Sequence, residues 1–185
     1  MLEEITSADF GVELDIVYAT DRNFTGVPVY GRAACFLLPE AADYLRKAVA
    51  LAAPLGYRLK VLDGFRPSEA QWKLWDHTPD PDFIADPRRG SPHSMGAAVD
   101  LTLVDAASGQ ELDMGTPFDD LRPLSYHGVI DGISVEAQRN RLMLMGIMTS
   151  AGFDFFRNEW WHYQLFNARA RYPVLSDSAA GTAMM

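Results

Sequence analysis

The segment Ser91-Pro92-His93-Ser94-Met95-Gly96 runs directly into Ala97-Ala98-Val99-Asp100, and Glu159-Trp160-Trp161-His162 follows about sixty residues later. Together they hold the residue types that metal-assisted hydrolysis needs. Zinc accepts imidazole nitrogen and carboxylate oxygen, and a catalytic zinc keeps three protein ligands and leaves its fourth position to water. His93 on a turn and Asp100 in the strand after it can converge, with Gly96 placed where the backbone must bend. His162 offers the third ligand. Glu159 supplies the carboxylate that must take a proton from an activated water. In a regular strand Glu159 and His162 would face opposite ways. Glu159 is therefore expected on a turn or bulge at the strand's start, with the tryptophans packing on either side.

A lone histidine or aspartate is more economically read as a satisfied polar residue, so it is the combination that points to a site. The single cysteine, Cys35, permits neither an internal disulfide nor a cysteine-based zinc cluster. Any metal must then be held by His, Asp or Glu. His77 and His127 are read as loop or surface residues, and the pairs Trp72/Trp75 and Trp160/Trp161 as core or pocket wall.

The elements that must position these residues follow from patterning. Val12 to Tyr18 alternates apolar and acidic residues, which predicts a half-buried strand. Residues 23–31 read as a surface loop, and Ala33 to Leu38 as a short apolar strand. Glu40 to Leu55 carries apolar residues at helical spacing behind Pro39 and ends before Gly56. A strand is predicted from Tyr57 to Asp63, then a helix through Trp75 that Ser68 could cap. Four prolines between Thr78 and Pro92 exclude regular structure there and suggest a long ordered loop or lid. Ala97 to Val104 is apolar nearly throughout, the signature of a central strand. Val135 to Ala151 reads as a helix stopped by Gly152, and Trp160 to Leu165 as a last strand. Mixed elements without regular alternation predict an α+β domain over residues 1–175, with 176–185 a weakly ordered tail.

With 185 residues, the chain can build one sizeable core. Its 16 basic against 25 acidic residues give a formal charge of −9, which removes the electrostatic attraction behind nonspecific nucleic-acid binding. No apolar run approaches the roughly 20 residues of a membrane span, and no Gly-rich phosphate loop is present. The acidic opening Met1-Leu2-Glu3-Glu4 is unlike a secretion signal, which makes the cytoplasm the expected location, or the periplasm if a leader had been removed.

Ser-x-His-x-x-Gly-x-Ala-x-Asp followed by Glu-x-Trp-His resembles the zinc peptidases that cleave D-amino-acid peptide bonds, the family of the D-alanyl-D-alanine carboxypeptidases and dipeptidases. Four further segments resemble the dipeptidase branch in the same order. They are Tyr18-Ala-Thr-x-x-Asn23-Phe-Thr-Gly26, Asp63-Gly-Phe-Arg66-Pro67, Met114-Gly-x-x-Phe118-Asp119 and Ala137-Gln-Arg-Asn-Arg141, and the similarity spans about residues 12 to 175. The resemblance implies a small α+β domain with a central antiparallel sheet, one zinc ion on His93, Asp100 and His162, and Glu159 as general base. It further implies that Arg66 stabilises the oxyanion, that Asp119 with Tyr18 receives the substrate's ammonium, and that Ser91 lies near its carboxylate. The implied substrate is a small dipeptide, D-alanyl-D-alanine, and the oligomeric state is left open, a homodimer included. Two competing readings stand beside it: a D,D-carboxypeptidase or endopeptidase on peptidoglycan stems, and a non-enzymatic zinc-binding module like the hedgehog signalling domain. The chain departs from many dipeptidases at Met95, where arginine is common, and over residues 121–127, which puts fine substrate preference in question.

Overall fold

The computed structural model describes every residue from Met1 to Met185. In chain order it forms β1 (Glu3–Ile5), α1 (Ser7–Phe10), β2 (Glu13–Leu14), β3 (Cys35–Leu37), α2 (Pro39–Ala52) and β4 (Tyr57–Asp63). There follow α3 (Ser68–His77), β5 (Ala98–Asp105), α4 (Val135–Ala151), β6 (Asp154–Phe155), β7 (His162–Gln164) and α5 (Ala168–Arg171). Five strands make one sheet in the order β2-β4-β5-β7-β6, and β1 pairs with β3 in a separate ribbon. All pairings in the main sheet are antiparallel except that of the edge strand β2 with β4. The fold is α+β, as the mixture of elements predicted.

β5 is the middle strand, which is why its sequence is apolar on both faces. Val99, Leu101 and Leu103 join one core with Ala41, Leu45 and Ala48 of α2 and Leu144 and Met148 of α4. Alternation then turns Asp100 and Thr102 to the other face. Pro39 stands at the start of α2, and Gly56, in the left-handed region, ends the short 3-10 turn that continues it. Ser134 caps α4 by accepting the Ala137 N–H at 2.9 Å, and Gly152 stops it at φ 121°. A Cβ at Gly152 would lie 2.8 Å from the Tyr44 ring, so only glycine lets the two helices approach there.

Four expectations are corrected. The strand expected over residues 12–18 is only Glu13–Leu14, because β2 is an edge with a single neighbour; after Asp15 N–H bonds Val61 O the chain leaves the sheet through the turn Val17–Ala19. Ser68 does not cap α3: Pro67 holds the cap position, and the Ser68 hydroxyl donates to Glu69. Trp72 is 44% exposed and lies outside both the core and the lining of the cavity that holds His93 and Asp100. The last ten residues do not fray. Asp177 accepts the Met184 N–H, Met184 O accepts the Gly31 N–H, and the Met184 side chain is buried, a set of long-range contacts that local patterning does not reveal. No helix is long and apolar enough to cross a membrane.

Candidate active site

The sheet brings three acids and imidazoles into one row. Asp100 on β5 lies directly opposite His162 on β7, and on its other side opposite Asp63 at the end of β4. A register shift between Val61 and Asp63 inserts one extra residue into β4, and that bulge re-aims Asp63 toward the row. His93 arrives from outside the sheet on the 3-10 turn His93–Met95, which ends at Gly96 with φ 70°. A Cβ at Gly96 would stand 2.5 Å from Leu2 Cδ2, so the tight turn into β5 requires glycine. Glu159 sits on a turn immediately before β7, with its N–H bonded to Phe156 O and its carbonyl accepting from His162 N–H at 3.4 Å. The expected turn is thus the device that lets Glu159 and His162 share a cavity.

The neighbours of the two histidines favour one tautomer of each. His93 Nδ1 donates to the Gly64 carbonyl at 2.7 Å, and His162 Nε2 donates to Gln164 Oε1 at 3.0 Å. The remaining lone pairs, on His93 Nε2 and His162 Nδ1, face each other across 3.0 Å. Asp100 Oδ1 lies 3.2 Å from the first and 3.1 Å from the second. Three potential ligand atoms this close form a nest for a cation. The spacing matches the edge of about 3.3 Å expected between ligands of a tetrahedral ion with bonds of 2.0–2.1 Å. The donor set of two imidazoles and one carboxylate therefore fits a metal, with Gly64 and Gln164 orienting the rings.

Arg66 enters beside this row, 6% exposed. Its Nε donates to Asp63 Oδ2 at 2.9 Å and its Nη1 to Gln71 Oε1 at 3.1 Å, while Nη2 stands 2.8 Å from Asp63 and 3.6 Å from Asp100. Its guanidinium also lies over the Tyr18 ring, 4.8 Å from the centroid. Asp63 in turn accepts from the Tyr30 hydroxyl at 2.8 Å. Burial drives the Asp63 carboxyl up against the opposing pull of Arg66 and His93. Burial likewise pushes Glu159 up to about 8, with Asp100 adding to the shift and His93 and Arg66 opposing it.

Asp119 closes the far side. It is a non-glycine residue at φ 60°, its Oδ2 is buried with no hydrogen-bond partner, and burial raises its carboxyl well above the ordinary range despite Arg66 nearby. Tyr18, Arg66, Ser91, His93, Asp100, Asp119, Glu159 and His162, all singled out in the sequence, line one cavity of about 230 Å³. That is smaller than the roughly 300–1,000 Å³ of drug-sized sites, a volume for a small ligand. The proline-rich segment 78–92 forms one wall, tied down by Gln71 Nε2 to Ala85 O at 2.8 Å and Asn158 Nδ2 to Asp82 O at 2.9 Å.

Residues 2–178 match the M15 peptidase family described as D-ala-D-ala dipeptidase. The chain belongs to this family. It is 42% identical over 166 residues to the D-alanyl-D-alanine dipeptidase of Escherichia coli K12, covering 90% of this chain and 84% of the relative. The dipeptidases of Enterococcus faecium and Streptomyces coelicolor are 38% and 35% identical over 175 and 178 residues, each covering 84% of this chain and 86% of the relative. As a member of the D-Ala-D-Ala dipeptidase family, the protein is a metallopeptidase, and the His93, Asp100 and His162 cluster is its candidate metal centre.

Three participants escaped the sequence reading. Asp63 ends an apolar strand and opens the segment Asp63-Gly-Phe-Arg66-Pro67, but neither feature assigns it a role. Gln164 lies two residues after His162, hence on the same strand face, and that period-two spacing could have found it. Gln71 gave no signal, because its role depends on α3 folding back beside Arg66. Of the two departures from many dipeptidases, Met95 is buried in the core away from the cavity wall, whereas Leu121 lines the cavity.

Proposed function

We propose that this protein hydrolyses D-alanyl-D-alanine to two D-alanines with one zinc ion held by His93, Asp100 and His162. The observation that carries this reading is the excess of acid among the cavity's buried groups. Asp63, Asp100, Glu159 and the buried Oδ2 of Asp119 surround one buried guanidinium, Arg66, while Asp86, Arg89 and Arg169 line the same cavity at its more exposed side. Ionised, these four carboxyls outnumber the buried cation, which favours a divalent cation at His93, Asp100 and His162 and the ammonium end of a zwitterion beside Asp119. Burial holds Asp63, Asp119 and Glu159 toward their neutral forms until such guests arrive. The names of the curated relatives supply the substrate, whose free ammonium and small side chains suit a 230 Å³ cavity.

Zinc, when bound, supplies a Lewis acid that polarises the scissile carbonyl and lowers the pKa of water toward about 7. Glu159 takes the proton of the attacking water and later passes it to the leaving amine. Its carboxylate suits both roles, because it sits 3.8 Å from His162 Nδ1 and no protein N–H or O–H hydrogen-bonds it. Arg66 stabilises the oxyanion. Its Asp63 and Gln71 contacts fix the plane of the guanidinium, N–H groups are left over for the substrate, and it stays protonated at any working pH. Asp119, beside Tyr18, receives the ammonium, and Ser91 lies on the wall nearest His93, where the carboxylate end is expected. A longer peptide, acylated at that amine, would leave Asp119 buried without a counter-charge.

The reading is tested by D-alanine release from metal-analysed protein, with L-alanyl-L-alanine and an N-acetylated D,D-dipeptide alongside. Release from the free D,D-dipeptide alone, abolished by chelation and restored by zinc, is the expected result. Cleavage of the acetylated peptide would move the assignment to a carboxypeptidase, and silence on all substrates with zinc bound would favour a binding module.

A further inference from the structure

Arg141 is a cation buried in α4 with only 2% exposure, and every group it hydrogen-bonds is uncharged. Nε donates to Met114 O at 2.6 Å, Nη1 to Leu124 O at 3.0 Å and Tyr126 O at 3.2 Å, and Nη2 to the Thr116 hydroxyl at 3.4 Å. These acceptors stand at the two ends of the segment 114–126. Asp119 lies between them.

That segment has no regular structure apart from the turn Pro123–Ser125, and two of its features oppose the shape it takes. Asp119 holds a left-handed backbone that only glycine adopts freely, and its Oδ2 is buried without a partner. Local strain of this kind persists only where the surroundings over-determine it. The planar fork of Arg141, mounted on a helix of 17 residues, supplies that determination by gripping both ends at once. Secondary ties spread the grip. Thr116 Oγ1 accepts the Trp160 indole N–H at 2.9 Å and lies 3.2 Å from Ser125 Oγ, which donates to Asp120 O at 2.6 Å. The residue next to Asp119 is thereby fixed to the same network.

We propose that Arg141 is the positioning residue that holds Asp119 in the cavity in its ammonium-accepting pose, and so sets the preference for substrates with a free amino terminus. The inference rests on the assignment of the ammonium to Asp119. A lysine could not replace the arginine, since its three N–H groups leave from one atom, whereas the Met114 and Tyr126 carbonyls are met by different nitrogens of the fork.

The test compares the zinc-loaded full chain with its Arg141→Lys, Ser125→Ala and Asp119→Asn variants. For each, the KM for D-alanyl-D-alanine is set against the inhibition constant of propanoyl-D-alanine, which lacks the amine, and zinc content, kcat and Tm are recorded. The unaltered chain should favour the free dipeptide by roughly tenfold or more, in line with a buried charge pair. Asp119→Asn and Arg141→Lys should each bring that ratio toward one while zinc stays at one per chain, and combining them should change it no further. Ser125→Ala should shift it in the same direction by less, and serves if the lysine variant does not fold. A lowered Tm with the ratio intact in both Arg141→Lys and Ser125→Ala would show Arg141 to be merely structural and overturn the inference. An intact ratio in Asp119→Asn would instead remove the ammonium assignment on which it stands.

Discussion

The metal-facing side of the cavity and the side that carries Asp119 are built by different means. Asp100 and His162 are cross-strand neighbours in the middle of the sheet, and His93 is locked by the Gly64 carbonyl. Nothing there needs an unusual backbone except the glycine turn at Gly96. Asp119 instead sits on an irregular segment, with a left-handed backbone and an unpartnered Oδ2, and depends on Arg141 reaching across from α4. The metal-facing side takes its geometry from strand pairing and from hydrogen bonds that orient both rings, whereas the loop side leaves Asp119 Oδ2 buried without a protein partner. Rigidity is placed where the chemistry needs fixed geometry, and stored cost where a ligand can relieve it.

If the sheet side carries the chemistry, its loss should cost the most. Glu159→Gln should lower kcat by about 10²–10⁴ with zinc content unchanged, read from turnover and metal analysis of the same sample. Zinc lost together with activity would make Glu159 a ligand and redraw the comparison. Arg66→Ala should cost about 10²–10³, mainly in kcat, as for other oxyanion donors. An unchanged kcat would remove it from the reaction. Asp119→Asn should act on the other side, lowering kcat/KM by roughly 30-fold or more through binding, with kcat much less affected. A fall confined to kcat would place Asp119 with the chemistry. Gln164→Ala touches neither reacting atoms nor substrate; it should weaken zinc binding by roughly 10–100-fold in a competition titration, because the His162 ring loses the acceptor that fixes its proton.

The same contrast explains what could be read in the sequence. His93, Asp100, Glu159 and His162 were legible from residue type and spacing, because a strand, a turn and a preceding glycine are local devices with local signatures. The long elements were equally plain: Tyr57 to Asp63 and Val135 to Ala151 fall where patterning put them. Arg66 and Asp119 entered only through family resemblance. Their roles depend on Asp63, Gln71 and Arg141, whose contacts span the fold and leave no periodic trace. Arg141 ends the dipeptidase-like segment Ala137-Gln-Arg-Asn-Arg141, yet nothing in those residues says that its cation is buried against carbonyls. The β2 strand was overread for the same reason, since alternation marks a face but not the point where an edge strand leaves the sheet.

The most direct measurement is a zinc titration of metal-stripped protein, with D-alanine release from D-alanyl-D-alanine followed at each addition and repeated on His162→Ala. Activity should rise linearly to one equivalent of zinc and then level off, and the variant should stay inactive throughout that range. Turnover without metal, or a variant that is activated as fully as the unaltered chain, would contradict a catalytic zinc held by His93, Asp100 and His162.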